Sequence, residues 1–183
     1  GSLTFGTGIG NVRDGIFLVA GTGNTIEANL VAFNATESVG GDPYHGIRVG
    51  TAGTSAANNQ ILGNQLAFNG NAGVGDGVNV NTADRIRISR TTTTQSRGDG
   101  IGLLNNGNGN QAPPTLTLVS GSPPVLSGSS SCADCTIEVF TSAAAENGEG
   151  PLFLTSGTVS GGSFSIPIPG CLRYLTATAI APN

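Results

Sequence analysis

Asp76 and Asp99 each stand immediately before a glycine that opens the same short phrase, Gly-aliphatic-x-aliphatic. The phrase occurs four times, at Gly15-Ile16-Phe17-Leu18, Gly46-Ile47-Arg48-Val49, Gly77-Val78-Asn79-Val80 and Gly100-Ile101-Gly102-Leu103. The residues just before the glycines are Asp14, His45, Asp76 and Asp99, at intervals of 31, 31 and 23 residues. If the phrases stack as neighbouring strands, about 4.8 Å apart, Asp76 and Asp99 approach the ~5 Å separation of a retaining glycosidase pair. They are the catalytic candidates. The same pair could hold Ca²⁺, a hard cation that seeks clustered carboxylates; no other cofactor is implied. The competing reading is structural, because Asp-Gly is a common turn dipeptide whose carboxylate accepts hydrogen bonds from the turn.

The loops leading into these glycines differ in length. Twelve residues run from Asn34 to Gly46, eight from Asn69 to Gly77 and four from Ser96 to Gly100. The longest, residues 35–45, carries Glu37, Asp42, Tyr44 and His45. In a stacked coil such insertions gather on one side and often make the binding face. Asp42, Tyr44 and His45 are therefore the binding candidates. Arg48, Arg85, Arg87 and Arg90 alternate with aliphatic residues and should face outward, solvated or paired bidentately with ligand carboxylates.

All three cysteines, Cys132, Cys135 and Cys171, lie late in the chain. Cys-x-x-Cys is half of a zinc site, but a structural site needs four ligands and the lone histidine, His45, is far away in sequence. One disulfide in a small exported domain is the better fit. Three pairings are open. A turn can bring Cys132 and Cys135 within bonding range, which makes 132–135 the expected bridge and Cys171 the free thiol.

These residues must be positioned by a repeat. Asn24-Thr-Ile26-Glu-Ala-Asn29-Leu-Val31-Ala-Phe33-Asn34 returns as Asn59-Gln-Ile61-Leu-Gly-Asn64-Gln-Leu66-Ala-Phe68-Asn69. A degenerate third copy aligns Ile88 with Ile26 and Ile61, Thr91 with Asn29 and Asn64, Thr93 with Val31 and Leu66, and Gln95 with Phe33 and Phe68. A chain repeats in this way when each unit must stack on a copy to bury its apolar face. Arg85-Ile86-Arg87-Ile88 has the period of two that marks a half-buried strand. Ile16, Ile47, Val78 and Ile101 should form one interior column, Phe33 over Phe68 an aromatic column, and Asn29 over Asn64 an amide ladder.

Composition agrees. With 30 Gly, 10% charged residues and no Met or Trp in 183 residues, the regular pieces must be short and punctuated by turns. A net charge of -4 gives no basic footprint for nucleic acid. No apolar run approaches the ~20 residues needed to span a bilayer. The repeat stops at the Gly/Asn-rich stretch 104–110, and Pro113-Pro114 marks a boundary. Residues 1–111 are thus read as one domain, and residues 112–183 as a second. Six alternating stretches (115–120, 125–127, 136–140, 152–158, 163–168 and 174–179) read as strands of a small antiparallel β-sandwich.

The Asn and Gly phrases resemble those of right-handed parallel β-helix proteins, the fold of pectate-lyase-like enzymes and many bacterial surface proteins. The resemblance covers roughly residues 3–110. Cys135-Thr-Ile-Glu-Val-Phe140, Gly148-Glu-Gly150 and Leu175-Thr-Ala-Thr-Ala179 are similar to the immunoglobulin-like module that often follows such coils in extracellular proteins. The resemblance implies an all-β chain: a coil of about four turns, the C-terminal part of a longer one, followed by a sandwich with room for a further strand. In pectate-lyase-like enzymes an outward Arg acts as base beside a cluster of calcium-binding acids, and that cluster cannot be assembled here. The polygalacturonase pattern of three aspartates with Gly-His-Gly is also missing; Tyr44-His45-Gly46 only echoes it.

The expected function is accordingly a non-catalytic fragment of an extracellular or cell-surface protein, a scaffold or binding unit. A polysaccharide lyase or glycoside hydrolase of the β-helix class and a glycan-binding module are the alternatives. The expected partners are a polysaccharide or cell-surface glycan, together with further copies joined end to end through the N-terminal edge of the coil.

Overall fold

The computed structural model describes residues 11–34, 43–70, 74–142, 148–170 and 174–182. The chain is nearly all β, with parallel sheets in its first part and antiparallel sheets in its second. The Gly phrases form a four-stranded parallel sheet of Ile16–Leu18, Ile47–Val49, Val78–Asn81 and Ile101–Leu104. Its register sets Ile16 beside Ile47, Val78 and Ile101, as the intervals require. The Asn phrases form two further parallel sheets. One contains Thr25–Glu27, Gln60–Leu62 and Arg87–Ser89; the other contains Leu30–Ala32, Gln65–Ala67 and Thr92–Thr94. Ile26, Ile61 and Ile88 align in the first, and Val31, Leu66 and Thr93 in the second.

The strands are short because left-handed corners interrupt them. Gly23, Asn58 and Arg85 (φ 72, 54 and 52°) precede the second sheet. Ala28, Gly63 and Arg90 (54, 58 and 48°) separate it from the third, and Phe33, Phe68 and Gln95 (57, 54 and 52°) end that sheet. A non-glycine residue in this region costs roughly 1–2 kcal/mol. Asparagine ladders offset the cost. The residue after a corner is Asn24 or Asn59, Asn29 or Asn64, and Asn34 or Asn69. Asn64 is fully buried; its Nδ2 donates to Ile26 O (2.9 Å) and Leu62 O (3.2 Å), and its Oδ1 accepts from Asn29 N and Nδ2, both at 3.0 Å. Asn59 and Asn69 repeat the pattern on Asn24 and Asn34.

Inside the sheets lies a column-built aliphatic core, with Ile47, Val49, Ile61, Val78 and Val80 fully buried. Phe33 and Phe68 do stack, with centroids 4.9 Å apart and planes within 3°. They are not part of this core, and Phe68 is 44% exposed. The left-handed corner breaks the alternation of faces and turns the ring outward.

In the second part, Thr115–Ser120, Val125–Ser129 and Ser163–Pro167 form one antiparallel sheet. Leu152–Thr158, Thr136–Thr141 and Leu175–Ile180 form another, with Thr136–Thr141 at its centre. Residues from both, including Leu126, Ile137, Val139, Phe164 and Ile166, share one apolar cluster. The sulfurs of Cys132 and Cys135 lie at disulfide distance, with Cα atoms 5.5 Å apart. Cys171 falls outside the described residues.

Residues of this second part hydrogen-bond to the chain along the edge strands Arg87–Ser89 and Thr92–Thr94. On earlier turns the corner N–H groups of Ala28 and Gly63 donate to Leu62 O and Ser89 O of the turn above. At the third turn Glu138 takes that place: Oε2 accepts the Arg90 N–H and Oε1 the Ser89 hydroxyl, both at 2.7 Å. Glu149 Oε1 accepts the Ser96 N–H at 2.7 Å. Asn108 Oδ1 accepts the Ile86 N–H at 2.8 Å, continuing the Asn24–Asn59 ladder. Unpaired edge groups invite strand addition, and these side chains occupy them.

Candidate functional site

The four residues before the glycines stack as a column. Gly15, Gly46 and Gly77 N–H groups donate to His45, Asp76 and Asp99 carbonyls at 3.1, 3.0 and 2.9 Å. Glycine is required here by close approach. A Cβ on Gly46 would meet Gly77 O at 2.6 Å, and one on Gly77 would meet the Thr93 methyl at 2.6 Å.

The first three side chains of the column each accept the backbone N–H of the next member. Asp14 Oδ1 takes the His45 N–H (2.6 Å), His45 Nδ1 the Asp76 N–H (2.9 Å), and Asp76 Oδ1 the Asp99 N–H (3.0 Å). Asp and His suit this role because both are short and end in an acceptor. Asp76 Oδ2 in turn accepts Asn79 Nδ2 at 2.8 Å. The carboxylate sits where glycines leave room: a Cβ on Gly98 would meet Oδ1 at 2.6 Å, and one on Gly102 would collide with Oδ2.

His45 Nδ1 also lies 3.3 Å from Asp76 Oδ2, the geometry of an ion pair. The two contacts of this nitrogen conflict, and the shorter decides. A ring nitrogen that accepts a backbone N–H at 2.9 Å carries no proton, so in this geometry the imidazole proton sits on Nε2.

Burial is the largest influence on the Asp76 carboxyl and pushes it up. The contact with His45, the Asn79 amide, the His45 charge and the Asp99 N–H together outweigh it and hold the carboxyl below its ordinary value. The Asp99 carboxyl is exposed yet pushed up, first by desolvation and then by the Asp76 charge. The two expected catalytic residues are therefore neighbours with opposed shifts, but Asp76 is committed to structure. Among the described residues no group of three His, Cys, Asp or Glu side chains is placed to hold a metal ion.

One column along stand the third residues of the Gly phrases: Phe17, Arg48, Asn79 and Gly102. Expected to face solvent, Arg48 is only 8% exposed. Its guanidinium lies over the Phe17 ring, 5.0 Å from the centroid, and Arg13 lies over Tyr44 at 5.9 Å. A groove of about 340 Å³ is lined by Arg13, Asp14, Phe17, Tyr44, Arg48 and Thr51. Of the expected binding residues, Tyr44 lines this groove, whereas His45 is 2% exposed in the acidic column. Asp42 and Glu37 fall outside the described residues. Arg85 is solvent-exposed beside Asp84 (3.7 Å), and Arg90 lies over the Phe153 ring at 5.4 Å.

Sequence reasoning missed Arg13, Phe17 and Arg48 as a group. The available signal was variation: within a phrase otherwise kept aliphatic, the third position changes from Phe to Arg to Asn to Gly. No protein-family model matches the chain, and no curated protein matches it, which leaves these two columns to carry the functional reading.

Proposed function

We propose that the chain is a non-catalytic extracellular or cell-surface scaffold. In this reading it is a right-handed parallel β-helix of about four turns, residues 1–111, whose third-turn edge is closed by an immunoglobulin-like β-sandwich, residues 112–183. One observation carries the reading: Asp14, His45 and Asp76, the residues best suited to chemistry, each spend an acceptor on the backbone of the next turn. The pair of sulfurs at disulfide distance is compatible with an oxidising, extracellular setting.

A carbohydrate-active enzyme is the second reading. The opposed shifts of Asp76 and Asp99 favour it, since paired acids with divergent pKa values mark acid and base roles. A cleavage screen on neutral and acidic polysaccharides separates the two. The scaffold predicts no turnover, with or without added Ca²⁺. Turnover that disappears in Asp76→Asn and Asp99→Asn would overturn it.

A further inference from the structure

Among the described residues Arg48 forms no ion pair, and its guanidinium lies over the Phe17 ring. Arg48 is only 8% exposed, and its Nε finds no hydrogen-bond acceptor. The ion pairs among the described residues join His45 to Asp76 and Arg85 to Asp84, and neither involves Arg48. A guanidinium this far from bulk water gains from an opposite charge brought within reach.

The surroundings are built accordingly. Arg48 Cζ lies over the Phe17 ring and Arg13 Cζ over the Tyr44 ring. Such cation–π contacts hold a guanidinium in place without neutralising its charge. Both cations line the same groove. The single acid in that lining, Asp14, has Oδ1 taken by the His45 N–H at 2.6 Å. The next acid, Asp76, is held by Asn79 and the Asp99 N–H. Among the described lining residues two cations stand against one acid, in a chain of net charge -4.

We propose that the groove between Arg13, Phe17, Tyr44 and Arg48 is an oxyanion site that takes a carboxylate or sulfate group on a sugar-sized ligand. Guanidinium forks match these groups bidentately. A volume of about 340 Å³ suits one small organic ligand. The site rests on the scaffold reading only in assigning no reaction to the bound group. The two fail separately, one by turnover in the cleavage screen and the other by absence of binding.

The test follows arginine Nε–H signals in ¹⁵N-labelled protein at constant ionic strength. Glucuronate and inorganic sulfate are titrated as probes, with glucose and chloride as their matched controls. The expected result is a saturable shift of the Arg48 and Arg13 signals with glucuronate, sulfate or both, while exposed Arg85 stays still. Which of the two probes saturates assigns the group. Arg13→Gln, on the exposed rim, should weaken binding at least about tenfold while the circular dichroism spectrum is kept, which avoids relying on Arg48→Gln to fold. No saturation at high millimolar probe would overturn the proposal. So would an equal response to glucose or chloride, or affinity unchanged in Arg13→Gln.

Discussion

Replacing Glu138 tests how the two parts of the chain are joined. Glu138 is 4% exposed and accepts two hydrogen bonds at 2.7 Å, from the Ser89 hydroxyl and the Arg90 N–H. Alanine leaves both donors without an acceptor. A buried donor left unpaired costs about 1–3 kcal/mol. The Ser89 hydroxyl can rotate toward solvent and falls at the low end, whereas the Arg90 N–H is fixed by its corner, at φ 48°. The expected loss for Glu138→Ala is therefore about 2–4 kcal/mol. Glu138→Gln keeps one carbonyl oxygen for Arg90 and turns its amide toward Ser89 Oγ, which can accept. That variant should lose only ~1 kcal/mol. Urea unfolding followed by circular dichroism gives the totals. Hydrogen exchange at the Arg90 amide gives the local term, and protection there should fall in the alanine variant. A Ser89→Ala, Glu138→Ala cycle should return a coupling of about 1 kcal/mol. If alanine costs under about 0.5 kcal/mol and Arg90 protection is unchanged, the carboxylate does not stand in for a further turn.

Three other outcomes follow from the columns. Asp76→Asn should destabilise the chain at neutral pH by about 1–3 kcal/mol, because an amide then faces the Asn79 amide. A carboxyl held below its ordinary value stabilises the fold above about pH 4, and that contribution fades as pH falls through the lowered value. Thermal melts of parent and variant should thus converge in acid, and a constant gap from pH 7 to pH 2 would refute the assignment. Asp99, pushed up and exposed, has the opposite sign, so Asp99→Asn should leave neutral stability unchanged or slightly raised. Asn64→Asp keeps the shape but turns an acceptor toward the Ile26 and Leu62 carbonyls. It should cost at least about 3 kcal/mol or prevent folding, and a variant melting with the parent would refute the ladder's role. Ile16–Leu18, Thr25–Glu27 and Leu30–Ala32 pair on one side among the described residues, and Leu30 is 74% exposed. Concentration-dependent self-association by light scattering should weaken in Leu30→Lys; a monodisperse monomer at all concentrations would count against end-to-end contact.

The register was legible in the sequence because stacking is a column constraint. Once Ile16, Ile47, Val78 and Ile101 align, the partners of Ile26, Val31 and the degenerate Thr93 follow, and the pairing agrees at each. All six stretches expected in the second part carry strands. Orientation at the corners was not legible. Phe33 and Phe68 read as core because an aromatic in an apolar phrase usually is, but alternation does not continue through a left-handed residue. The ladders of Asn24 with Asn59 and Asn34 with Asn69 were missed although these residues recur every five positions with Asn29 and Asn64. Alternation places Arg48 outward, but its exposure is not legible from alternation, since its side chain lies between half-exposed Phe17 and buried Asn79.

The charged residues of this chain divide by task, and the division bears on function. Several backbone N–H groups beside the glycine phrases and at the edge of the parallel sheets are met by side chains, and a carboxylate is the strongest acceptor a side chain can offer them. Asp14, Asp76, Glu138 and Glu149 all serve this need. Acid-dependent catalysis requires a carboxylate that is free to exchange protons or bind a sugar carbon, and in the pre-glycine column only Asp99 is exposed. Asp76, beside it, accepts the Asp99 N–H and the Asn79 amide. Backbone carbonyls are met by ladder amides, with Asn59, Asn64 and Asn69 Nδ2 donating to the Gly21, Ile26 and Val31 carbonyls. With the acids bonded to backbone and Arg48 over the Phe17 ring with no ion pair among the described residues, the ligand sought first should be an anion.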